Sequence, residues 1–182
     1  MTLDIVPFGH PALRAKGRRI ENIDARIRAL ATEMLETMYA AEGVGLAAQQ
    51  VGLPVQLCVV DVKGVKDRPS TLRIAGRDVE ITEHMPLVLI NPEVEPFGKP
   101  EIGVEGCLSF PGARSEVTRP AAVRVRAQSL DGKLLEFEAG GLLARAIQHE
   151  HDHLHGILFI DRVGPAERER IEAEMIDAAD RV

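Results

Sequence analysis

The densest chemistry in the chain is the run Gln148-His149-Glu150-His151-Asp152-His153-Leu154-His155. His149 and His153 are four residues apart, so on a helix they lie one turn apart on the same face. Two imidazoles placed this way can hold one divalent metal, and Glu150 is near enough to handle a proton of a metal-bound water. The pattern His-Glu-x-x-His suits metal-dependent hydrolysis, although a polar face of solvated histidines would read the same way. His151 and His155 repeat the spacing, with Asp152 after the first of them. Ala146 and Leu142 lie one and two turns before His149 and turn its face inward, whereas His155 adjoins Gly156 at a helix end. The first pair is the expected metal pair.

Two histidines leave such a centre incomplete, because a catalytic zinc-type site takes three protein ligands and keeps one position open. A protease-like helix would find the third downstream, where only Asp161 and the acids of the last helix follow. Upstream, Glu105-Gly106-Cys107-Leu108-Ser109 sets a cysteine between a glycine and a polar turn, ahead of Pro111-Gly112. A thiolate is a strong ligand for Fe(II) or Zn(II). Cys58 sits in an apolar run and reads as core. Chemistry alone therefore selects Cys107, His149 and His153. A third cluster, Gly43 to Gly52, combines small residues that permit close backbone approach with the amides of Gln49 and Gln50. Its Gly-x-Gly follows a helix and precedes no Lys-Ser/Thr, which is not a phosphate loop. A tight helix-to-strand connection explains it equally well.

The elements that must position these clusters are legible in outline. Ile27, Leu30, Ala31, Met34, Leu35 and Met38 form one apolar stripe, predicting a helix from Asp24 to Ala41 that Gly43 ends. Val55 to Val62 and Leu87 to Ile90 read as buried strands, the second stopped by Asn91-Pro92. Lys63 to Pro86 is polar and reads as a long surface excursion. Val123, Val125 and Ala127 alternate with polar residues, and Asp131-Gly132 turns them into Leu135 and Phe137. A helix follows from Leu142 to His155, closed by Gly156, and a last one begins at Pro165 with Ile171, Met175, Ala178 and Val182 as its stripe. The mixture lacks a strict βαβ alternation and predicts an α+β fold, a single domain over 1–182.

The 182 residues carry 45% hydrophobic and 27% charged residues, with net charge −6. This balance excludes a disordered chain and argues against broad adhesion to nucleic acid or an anionic membrane. Two cysteines exclude a disulfide scaffold and suit a reducing compartment. No signal peptide opens the chain and no apolar run suffices for a membrane span, so a cytoplasmic location is expected.

Taken in order, the three clusters closely resemble peptide deformylases. That family carries Gly-x-Gly-Leu-Ala-Ala-x-Gln, matched by Gly43 to Gln50, then Glu-Gly-Cys-Leu-Ser, matched by Glu105 to Ser109. It also carries Gln-His-Glu-x-Asp-His, matched by Gln148 to His153, and the likeness extends to Pro7 to Leu13, Ile90-Asn91-Pro92 and the start of the last helix. The resemblance implies antiparallel and mixed β-sheets packed around a central metal-binding helix, with further helices toward each terminus. It implies that Cys107, His149 and His153 bind one divalent ion, Fe(II) favoured, with Zn(II), Ni(II) or Co(II) able to substitute. Glu150 is then the general acid/base for a metal-bound water that attacks the formyl carbon, releasing formate. Gln50 and the Leu108 N–H stabilise the oxyanion, and Gly45 lies beside the substrate backbone. Val44, Leu142 and Ala146 line a methionine pocket, and Arg114 stands near the substrate. The implied partners are N-formylmethionyl nascent peptides near the ribosome. Two features depart from the compact family pattern. The segment Lys63 to Pro86 is long, and the acidic last helix (Glu167 to Asp180) offers a ribosome no electrostatic anchor. A zincin-like endopeptidase and a non-catalytic metal- or peptide-binding module are the competing readings.

Overall fold

Asp24 opens the first helix, α1 (Ala25–Ala40), by accepting from the N–H groups of Arg26 and Ile27 at 3.0 Å each. Such a cap contributes about 1 kcal/mol. Ala31, Met34 and Met38 of the stripe are buried, with Ile27, Leu30 and Leu35 packed beside them. The stop differs from the expectation. Glu42, not Gly43, takes the left-handed conformation (φ 54°), and the Gly43 N–H then bonds Met38 O at 2.9 Å.

The structure is a computed structural model that describes residues 1–179. Its strands are β1 (Gly45–Ala47), β2 (Leu57–Val60), β3 (Ser70–Ile74), β4 (Arg77–Asp78), β5 (Leu87–Cys107), β6 (Phe110–Gln128) and β7 (Leu134–Gly140). They pair antiparallel in the order β1-β2-β5-β6-β7-β3-β4. Parallel pairing is confined, among the described residues, to an isolated bridge between Arg18 and Val55. Helices α2 (Gly141–Leu154) and α3 (Pro165–Ala179) complete an α+β fold. None of the described helices is long and apolar enough to cross a membrane.

Asn91-Pro92 does not stop the strand it was expected to end. Asn91 is left-handed (φ 51°) at a register shift between Ile90 and Glu93, where proline's missing N–H breaks no ladder bond. Its amide braces the bend, accepting from Ile20 N at 2.9 Å and donating to Ile20 O at 2.9 Å. The segment from 63 to 86 is likewise no simple excursion. Leu72 is buried, Ala75 and Gly76 both take positive φ in a two-residue turn, and the resulting β3–β4 hairpin extends the sheet beside β7.

Helix α2 is buried all round: of its residues only Gly141 and His151 escape full burial. Leu143, Ile147 and Leu154 pack on Cys58 and Val60 of β2, Leu89 of β5, Val123 and Val125 of β6 and Ala139 of β7. The helix ends in a Schellman motif, with Gly156 N–H on His153 O and Ile157 N–H on Asp152 O, both at 3.0 Å. Gly156 is left-handed at φ 72°, and a Cβ there would stand 2.9 Å from the Arg14 carbonyl carbon, so only glycine fits. In α3, Ile171 is buried and Met175 packs beside the same cluster, but Ala178 is exposed, which narrows the expected stripe. Asp180 and Val182 lie outside the described residues.

Candidate metal centre and catalytic cleft

Three elements converge on one point. β1 and the turn after it bring Gly45 and Gln50, the β5–β6 turn brings Cys107 and Leu108, and α2 brings His149, Glu150 and His153. The N-terminal segment ties two of them together: Val6 N–H donates to Gln50 O at 2.8 Å and Phe8 N–H to Ser109 O at 2.9 Å. Phe8, Phe110 and Phe159 stack beneath, at centroid spacings of 4.9 and 5.1 Å, with the Phe159 ring 6.2 Å from His149.

One donor atom each from Cys107, His149 and His153 lies within 4.8 Å of the other two. Cys107 Sγ is 3.4 Å from His153 Nε2. Bonds of about 2.3 Å to sulfur and 2.0–2.1 Å to nitrogen put neighbouring tetrahedral ligands roughly 3.4–3.6 Å apart, so this set fits a single ion. A thiolate with two imidazoles is the soft-to-borderline donor set of Fe(II), Zn(II), Ni(II) and Co(II). Asp161, the acid an endopeptidase-like helix would have recruited, is tied instead to Arg14, Arg168 and the Leu158 N–H.

The second histidine pair faces away. His155 is exposed, its Nδ1 is 2.9 Å from the His151 carbonyl, and the two rings stack at 4.4 Å. Burial and the neighbouring His155 push the His151 imidazole down to about 4.

A buried network of charges aims the His149 ring, whereas His153 Nδ1 is buried with no hydrogen-bond partner among the described residues. His149 Nδ1 lies 2.9 Å from Glu105 Oε1, which leaves Nε2 toward the thiolate. Glu105 also accepts from Arg119 at 2.6 and 2.9 Å and from Arg145 at 2.8 Å, and Arg119 reaches Asp152 at 2.9 Å. Burial alone would raise the Glu105 carboxyl, but the bonds from His149 and Arg119 hold it well below the usual carboxylate range. Arg119, Arg145 and Asp152 were given no role from the sequence. Arg145 interrupts the apolar run Leu142 to Ile147, and a charge in such a run signals a buried partner.

Glu150 is 4% exposed, and its Oε2 has no hydrogen-bond partner among the described residues. Burial pushes its carboxyl up to about 7 against the pull of His149. Gln50 Oε1 accepts from the Ala47 N–H at 2.9 Å, which orients Nε2 as a donor 3.5 Å from Cys107 Sγ and 3.4 Å from Ser109 Oγ. Gly45 lies against Glu150: a Cβ there would sit 2.9 Å from the carboxyl carbon and closer still to Oε1. The triad opens into a cavity of about 520 Å³, lined by Val44, Gly45, Gln50, Leu108, Arg114, Leu142, Ala146 and Glu150 among others. Every residue to which the family resemblance gave a role thus borders one space, except His153, which sits 1% exposed just beneath it; Gln49, His151 and His155 do not line it. Val65 and Arg68, from the segment read as a surface excursion, also line the wall.

Comparison with known proteins agrees with this geometry. The polypeptide deformylase family model matches residues 2–169. A peptide deformylase of Methylacidiphilum infernorum is 49% identical over 175 residues, covering 96% of this chain and 92% of that protein. One from Opitutus terrae is 45% identical over 177 residues, with coverages of 96% and 92%. Among solved structures, a Synechococcus elongatus peptide deformylase in complex with actinonin superposes with a TM-score of 0.81 at 40% identity, covering 94% of this chain and 86% of that one. A Legionella pneumophila peptide deformylase gives 0.84 at 34% identity, with coverages of 100% and 96%.

Proposed function

The chain belongs to the polypeptide deformylase family, metal-dependent enzymes that remove the N-formyl group from nascent peptides, and we propose how its own residues divide that work. Cys107, His149 and His153 hold one divalent ion, Fe(II) by preference. When bound, the ion supplies Lewis acidity that lowers the pKa of a water and polarises the formyl carbonyl. Glu150 takes the proton of the attacking water and passes it to the departing amide nitrogen. A carboxyl raised to about 7 by burial can both accept and release a proton near neutral pH. Gln50 Nε2 and the Leu108 N–H donate to the formyl oxygen as it gains negative charge. Val44, Leu142 and Ala146 receive the methionine side chain, Gly45 runs beside the peptide backbone, and Arg114 stands at the outer cleft. The whole of 1–182 works as one catalytic domain, in the cytoplasm and close to the ribosome.

The observation that carries this assignment is the convergence of a partnerless buried carboxylate, an oriented amide donor and the thiolate–imidazole triad on one cavity. Glu150→Gln tests it. The ligand set is untouched, so bound metal should stay stoichiometric while formate release from formyl-Met peptides falls at least 100-fold, the lower bound of the range for a lost acid–base group. Full turnover in a metal-replete Glu150→Gln protein would remove Glu150 from the mechanism.

A further inference from the structure

The cleft continues past the triad along the outer edge of β5. β2 pairs with β5 only over Leu87 to Ile90, so from Glu101 to Cys107 that strand has β6 on one side and no strand on the other among the described residues. An extended chain lying along this edge advances about 3.3 Å per residue. A substrate whose formyl group meets Cys107 therefore brings its second or third residue level with Val104. Arg68 waits there. It is half-buried, and its Nη1 donates to Val104 O at 3.1 Å. Its segment is pinned to the start of α2, because Pro69 O accepts from Leu142 N at 3.1 Å and Ser70 Oγ accepts from Leu143 N at 3.0 Å.

The charges around this outer cleft are unbalanced. Arg68 and Arg114 both line the cavity, and neither joins an ion pair among the described residues. Arg145, also on the wall, is neutralised by Glu105. Glu42 stands alone as the exposed carboxylate of the lining, beyond the end of α1. Two unpaired guanidinium groups here are conspicuous in a chain of net charge −6.

We infer that Arg68 is a specificity-determining residue, favouring an acidic side chain at the second or third residue of the formylated chain, with Arg114 reinforcing the same field. A guanidinium presents five N–H donors in a planar fork that matches a carboxylate. Only one is engaged by Val104 O, so the fork can take a carboxylate without losing its anchor. The inference rests on reading the cleft as the site for formylmethionyl peptides.

The test compares formyl-Met-X-Ser and formyl-Met-Ala-X peptides, with X as Glu, Gln or Lys, on the wild-type protein, Arg68→Gln and Arg68→Glu. The wild type should show kcat/KM in the order Glu, Gln, Lys at one of the two positions, with a Glu-to-Gln ratio of about two- to fivefold at low salt, shrinking as salt rises. Arg68→Gln should bring that ratio close to one, and Arg68→Glu should turn the preference toward Lys. Equilibrium binding of the same peptides to the Glu150→Gln protein, where they stay intact, should rank them identically. A ratio near one in the wild type at both positions, or an undiminished ratio in Arg68→Gln, overturns the inference. Should the wild type hydrolyse none of the peptides while Glu150→Gln still ranks them by charge, the catalytic reading fails and the role of Arg68 stands. If neither measurement ranks the peptides by charge, the inference is refuted.

Discussion

Glu105→Gln should loosen the metal and lower the stability of the whole fold, although Glu105 is assigned to neither coordination nor proton transfer. The carboxylate is 6% exposed and receives two bonds from Arg119, one from Arg145 and one from the His149 ring. The amide keeps the shape and one acceptor oxygen, but it turns an NH₂ toward donors and removes the charge that neutralises two buried guanidinium groups. Arg119 retains Asp152, and Arg145 retains the carbonyls of Val117 and Glu101. Breaking a buried pair costs about 3–5 kcal/mol, and these remaining partners place the change near 3 kcal/mol. At roughly 2–4 °C per kcal/mol for a chain of this size, Tm should fall by about 6–12 °C. Losing the partner that fixes the His149 ring should weaken metal binding about 10- to 100-fold. Calorimetry reads the first and competition with a chelator of known affinity reads the second. A Tm within about 2 °C of wild type together with metal affinity within about threefold would refute the reasoning, since it would mean the network neither aims His149 nor offsets buried charge.

Other consequences are sharper in one variable. Gly45→Ala forces a methyl group into the Glu150 carboxylate, and displacing a catalytic group by about 1 Å can cost about 100-fold. Turnover should therefore collapse while bound metal and Tm hold, and a Gly45→Ala protein with wild-type kcat would show that Glu150 works from another position. His153→Ala should lose both metal and activity, whereas His151→Ala and His155→Ala should keep most of each. Metal analysis of the three decides the register, and loss of metal in His155→Ala alone would reverse it.

The parts of the site that short-range spacing encodes were readable. The i, i+4 histidines, the carboxylate between them and the cysteine in a glycine turn are local patterns, and the structure gathers them at one cavity. The long β5–β6 pairing was not readable beyond its ends. Its strands hold prolines and glycines that ordinarily break strands; most of them fall at or beside register shifts that depend on the partner strand, and Gly103 is paired in register opposite Val117. The β3–β4 hairpin was missed for a related reason: outward Thr71 and Arg73 mask the single buried Leu72, so a sheet-edge strand looks like a polar loop.

The charge network shows where a local rule runs on into tertiary structure. Counting four residues back from His149 reaches Arg145, and three forward reaches Asp152, so both flank that imidazole on the helix. Each carries a charge at a buried position, which by itself demands a partner. Arg145 and Asp152 bear opposite signs and do not bond each other; they are linked through Glu105 and Arg119, contributed by β5 and β6. Helix spacing can thus state that compensating charges must arrive from elsewhere, and of which signs; beside Glu105 and Arg119, Arg162 bonds Asp152 at 2.6 and 3.1 Å. Only the pairing of β5 with β6, which sets Glu105 opposite Ser115 and brings Arg119 alongside, identifies the two that link Arg145 to Asp152.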